Sequence, residues 1–68
     1  MSAGEVLIVS SRRALHPIAT ETKARRDAQR WLRSVGAVDG EWMTILDLAT
    51  GETIARYQRR NGSVTRMQ

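Results

Sequence analysis

The sequence predicts an α+β domain in which one helix covers one face of a small, mostly antiparallel sheet. The order is strand, helix, strand, strand, with a further short strand at the end. Three observations carry this. A single amphipathic helix pattern runs from Thr20 to Val35, with Ala24, Ala28, Trp31, Leu32 and Val35 at helical spacing. Strand-like apolar runs lie before and after it. Turn sequences Asp39-Gly40, Ala49-Thr50-Gly51 and Asn61-Gly62 punctuate the second half. At 68 residues the chain forms one domain over 1–68, with 1–4 and 67–68 expected to fray.

Glu5 to Ser10 reads as the first strand. Val6, Leu7, Ile8 and Val9 show no polar alternation, so both faces of this strand are expected to be covered, and the strand to lie in the sheet interior. Ser11 to Ala19 is a connection, because Pro17 keeps His16 out of helical geometry. Leu15 and Ile18 can tuck back as a short extra strand. Thr20 is the expected helix N-cap, with Thr22 the competing cap, and Glu21 sits favourably at the positive end of the helix dipole. Lys23 to Val35 has neither Gly nor Pro, and Gly36 is placed to end the helix in a left-handed conformation.

Glu41 to Leu48 and Thr53 to Arg60 read as a hairpin, with Gly51 suited to positive φ. Asn61-Gly62 predicts a second tight turn into a last strand, Ser63 to Met67. If Asp47 faces Glu52, one sheet face collects Trp42, Leu46, Leu48, Ala55, Tyr57 and Val64. The other collects Met43, Ile45, Ile54 and Met67 among Arg56, Gln58, Arg60 and Thr65. The first set is expected under the helix. The second leaves Met43, Ile45, Ile54 and Met67 as a candidate dimer interface, and a slip of one residue would exchange the two faces. A chain this short, without Cys for disulfides or a cysteine-ligated metal, gains stability from such self-association.

The net charge is +4, and its distribution is uneven. Residues 12–33 hold seven basic and two acidic side chains, residues 39–52 hold four acids and no base, and residues 53–68 hold four Arg and no acid. On the helix, Lys23, Arg26, Arg30 and Arg33 form a stripe opposite the apolar one, about 15 Å long, which matches about four base-pair steps of duplex rise. Arg12 and Arg13 can extend it. Such a stripe suits phosphate contact. The same cations also suit an acidic protein, or simply water on an outward face. Trp31, Trp42 and Tyr57 all fall on expected core faces, so no platform for base stacking is expected.

Little in the chain points to catalysis. His16 is the sole His and sits in a loop with no nearby acid to orient it. Asp47 and Glu52 fall at a hairpin end, where carboxylates usually cap turn amides. The Gly residues are isolated, so no phosphate-cradling loop is present. No cofactor or metal is expected. The longest apolar run, Val6–Val9, is too short to span a membrane or to form a signal peptide. The reading is a basic, cytoplasmic, non-enzymatic binding module whose partner is nucleic acid or an acidic protein. The alternative is a homodimeric interaction or regulatory module.

Overall fold

A computed structural model describes residues 4–12, 17–18 and 20–68, with residues 17–18 described in backbone alone. Arg13, Leu15 and His16 lie outside the described residues. The elements are β1 (Val6–Ser10), β2 (Pro17–Ile18), α1 (Glu21–Leu32), β3 (Trp42–Asp47), β4 (Thr53–Arg60) and β5 (Ser63–Arg66). They form the expected α+β layer: one five-stranded sheet in the order β2-β1-β3-β4-β5, every described pairing antiparallel. β1 is interior, and the extra strand anticipated after it is β2.

Helix α1 starts as its sequence dictates. The Thr20 hydroxyl accepts a hydrogen bond from the Lys23 N–H at 3.2 Å, satisfying one of the free amides of the first turn. Ala24, Ala28 and Leu32 are buried against Val6, Ile8, Met43, Ile45, Ala55 and Tyr57, with Trp31, Ile54 and Val64 packed at the margin. Two small Ala residues on the buried face let the helix sit close on the sheet.

The helix stops earlier than the apolar pattern suggests. Arg33 is the C-cap, Gly36 has no positive φ, and Val35 is fully exposed instead of joining the stripe. The physical reason lies in β4. The Arg59 guanidinium donates from Nη1 to the carbonyls of Leu32 at 2.7 Å and Ser34 at 3.4 Å. The Ser34 hydroxyl donates to the Trp31 carbonyl at 2.6 Å. Side chains thus take up the last helical carbonyls, and a cation meets the negative end of the dipole, so no left-handed glycine is needed there. Ala37, beyond the helix, is buried.

The sheet corrects one face. The hairpin end is as expected: the Asp47 N–H donates to the Glu52 carbonyl at 2.8 Å, and Gly51 has φ +77°. Asp47 Oδ1 accepts from the Ala49 and Thr50 N–H groups at 2.8 and 3.2 Å, the turn-capping role anticipated for that carboxylate. Leu46 then faces Thr53, but Ile45 faces Ala55, so Ile54 is an extra residue in β4. This bulge keeps Ala55 and Tyr57 beneath the helix while reversing β3. Met43 and Ile45 go into the core, and Trp42 and Leu46 turn to the face without a helix. β1 follows the same division: Val6 and Ile8 are buried beneath the helix, whereas Leu7 and Val9 are half-buried opposite Leu46 and Thr44, so among the described residues the helix layer covers one face of this strand.

The last turn is as expected, with Asn61 at φ +51° and Gly62 at φ +80°, the pair of left-handed residues a tight twisted hairpin requires. Residues 67–68 continue the pairing of β5 with β4. The Met67 N–H donates to the Arg56 carbonyl at 2.7 Å, and the Gln68 carbonyl accepts from the Arg56 N–H at 3.3 Å.

Candidate functional site

The outer face of α1 carries the predicted basic stripe. Lys23, Arg26, Arg30 and Arg33 are all exposed, on the side away from Ala24, Ala28 and Leu32. Lys23 is partly committed: its Nζ lies 3.4 Å from Asp27 Oδ2 one turn on, an exposed pair of small energetic weight. Arg30 and Arg33 stand near the negative end of the helix dipole, which by itself favours cations there. A shallow depression of about 390 Å³ lies beside the stripe, lined by Lys23, Asp27, Arg30, Trp31 and Ser34.

The other described arginines are engaged with the fold. Arg25 donates to Glu21 at 2.8 Å and to the Tyr57 hydroxyl at 3.2 Å, and the Glu21 hydrogen bond, followed by that of Tyr57, raises its pKa. Arg59 holds the helix terminus and Asp39. Arg56 donates to Thr44 Oγ1 at 2.9 Å, Arg60 to Gln58 at 3.0 Å and Arg66 to the Gln68 carbonyl at 2.9 Å. Arg26, Arg30 and Arg33 make no side-chain hydrogen bond or ion pair among the described residues.

Arg12 leaves the stripe it was expected to extend. Its Nη1 donates to the Gly36 carbonyl at 2.9 Å and lies 3.5 Å from Glu41 Oε1. Glu41 is the acid that the sequence undervalues. Its side chain has no solvent exposure, and its Oε2 accepts from Trp31 Nε1 at 2.8 Å while Oε1 accepts from the Val38 N–H at 3.3 Å. Burial alone would raise this carboxyl. The hydrogen bonds from Trp31, Val38 and Arg12 outweigh it and hold the pKa below the usual carboxylate value. The cluster ties the end of β1 to the segment after the helix, which is structural work.

The expected dimer surface does not assemble. Met43 and Ile45 are 2% and 0% exposed beneath the helix, and Ile54 packs at the core margin as the bulged residue. Met67 alone of the four stands exposed. The sheet face opposite the helix instead carries Leu7, Val9, Trp42 and Leu46 from β1 and β3, each half-buried, with Arg56, Gln58 and Arg60 beside them among the described residues. On this face the Arg56 guanidinium lies over the Trp42 ring, 5.4 Å from its centroid. Trp42 is the aromatic that the expected register had placed in the core. Thr44, polar between Trp42 and Leu46, is the one break in the apolar run of β3, and its hydroxyl is buried as the acceptor of the Arg56 bond.

No cluster of three or more His, Cys, Asp or Glu is placed to hold a metal ion among the described residues. No helix among them is long and apolar enough to cross a membrane. No protein-family model, curated protein sequence or solved structure matches the chain.

Proposed function

We propose that the chain is a small non-enzymatic binding module that contacts nucleic-acid backbone through the outer face of α1. The observation carrying this reading is the division among the arginines. Arg12 after β1, Arg25 on α1 and the sheet arginines donate to acceptors of the fold, whereas Arg26, Arg30 and Arg33 on the outer helix face make no such bond among the described residues. Guanidinium groups on one rigid helix face suit phosphate oxygens, which they bind through paired donors without reading sequence. A cytoplasmic location fits such a partner.

Three phosphates neutralised on B-DNA correspond to a log–log salt slope of about −2.7, and four, if Lys23 leaves Asp27, to about −3.6. Over the interval from 50 to 200 mM salt, the three-contact slope is a loss of about fortyfold in affinity. Fluorescence anisotropy of a labelled duplex of arbitrary sequence measures this directly. The reading expects that slope, and loss of binding in an Arg26→Glu, Arg30→Glu variant. Absence of binding at low salt, or equal binding by the variant, overturns it and leaves an acidic protein or water as the partner of the stripe.

A further inference from the structure

We propose that the sheet face opposite the helix is a second, separate site, which takes a single-stranded nucleic-acid segment by stacking a base at Trp42 and Arg56. The proposal is independent of the helix reading, since the two surfaces lie on opposite sides of the layer.

The site is built around one stack. Arg56 stands over the Trp42 ring and is held there by its Nε hydrogen bond to Thr44 Oγ1, itself nearly buried. One guanidinium nitrogen is thereby fixed, and the outer plane of the cation remains available. Next to the stack lies a depression of about 300 Å³ lined by Trp42, Arg56, Gln58, Met67 and Gln68. That volume falls at the small end of ligand pockets, about 300 to 1,000 Å³, a size that suits a flat heterocycle. Its lining is an aromatic ring, a thioether, a cation and amides. Such a lining favours a planar π-system joined to an anion over an aliphatic ligand.

Charge and area select among the occupants. Arg56 and Arg60 give this part of the face a positive sign, and a polyanion is complementary to it. A second copy is the obvious competitor. Four strands at about 4.8 Å spacing and about five residues at 3.3 Å each give a face of about 320 Å². Two such faces fall well short of the roughly 1,200 Å² of a stable interface. Bases splayed from a single strand need no such area, because each one stacks on its own.

The test uses the intact chain and three fluorescein-labelled probes: oligodeoxythymidylate, oligouridylate, and an abasic strand of the same length and charge. Trp42→Leu is expected to weaken the two base-bearing strands about tenfold or more, within the range of base–aromatic stacking, and to leave the abasic strand and duplex unchanged. Met67→Glu, at a position already exposed, is expected to weaken them as well without unfolding the chain. A preference between thymidylate and uridylate shows whether DNA or RNA is the source. The proposal is overturned by any of three results: equal affinity for the abasic strand, undiminished binding by both variants, or a doubled light-scattering mass abolished by Trp42→Leu. Loss of duplex binding in the helix variant, with single-strand binding kept, refers to the helix face alone.

Discussion

Replacing Glu41 with Ala tests the account of the fold where it commits most. The side chain is fully buried and accepts from Trp31 Nε1 at 2.8 Å and the Val38 N–H at 3.3 Å, with Arg12 3.5 Å away. Its removal takes away the acceptor of these two hydrogen bonds, at about 1–3 kcal/mol each. Arg12 is half exposed and returns to water, and Trp31 is half-buried, so the lower part of that range applies. The expected loss is about 2–4 kcal/mol, against a total of roughly 3–10 kcal/mol for a chain of this length. In urea, with a slope near 1 kcal/mol per M, the midpoint falls by about 2 M or more, followed by tryptophan fluorescence.

The pH dependence supplies a second readout. A carboxyl held below its ordinary value of 4.5 in the folded chain contributes stability that is complete above that value. As pH falls through the folded-state value, the unfolded chain has already taken up the proton, and the contribution disappears. Native stability should therefore decline on acidification below about pH 5, and the decline should be shallower in Glu41→Ala. A loss under about 0.5 kcal/mol, or an unchanged acid limb, refutes the claim that this carboxylate holds the loop after the helix.

Gly62 has φ +80° and open space around its Cβ position, so Gly62→Ala should cost about 1–2 kcal/mol from backbone conformation alone in a denaturant titration. Gly36 has equal space and no positive φ, so Gly36→Ala should be neutral or stabilise by up to about 1 kcal/mol through the unfolded chain. Arg59→Met keeps the aliphatic stem but removes the donors to Leu32, Ser34 and Asp39. It should lower stability by about 2 kcal/mol, read as a melting-temperature drop of about 8–16 °C, with faster amide exchange in the last turn of α1.

What the sequence discloses and what it hides differ by residue for identifiable reasons. Local chemistry was readable: the Thr20 cap, Gly51, Asn61-Gly62 and the Asp47 turn each depend on neighbours within four positions. The face of β4 was readable too, because Ala55 and Tyr57 alternate cleanly. The face of β3 was not. Trp42 and Leu46 are as apolar as Met43 and Ile45, so either alternation could serve the core, and one inserted residue at Ile54 decided it. The end of the helix was hidden because its cap comes from Arg59, 27 positions beyond Leu32. Glu41 was hidden for the same kind of reason, since its donors on Arg12 and Trp31 lie far along the chain. The basic stripe was visible as a pattern, but only the structure separates Arg26, Arg30 and Arg33 from Arg12, which the fold consumes.

The bulge at Ile54 has a bearing on how this chain behaves among many copies of itself. β5 and the residues after it pair with β4 from Arg60 back to Arg56, so that Thr53, Ile54 and Ala55 form the part of the β4 border outside those pairings among the described residues. An intact border of that kind is a template on which a foreign strand can add, the first step toward a fibre. Here it is three residues long and contains the extra residue, which bends the strand and breaks the even spacing of donors and acceptors. The opposite border is β2, Pro17–Ile18 among the described residues. The outermost strand on the β4 side is β5, from Ser63 to Arg66, so the edge left there for another strand is four residues long and ends in an arginine.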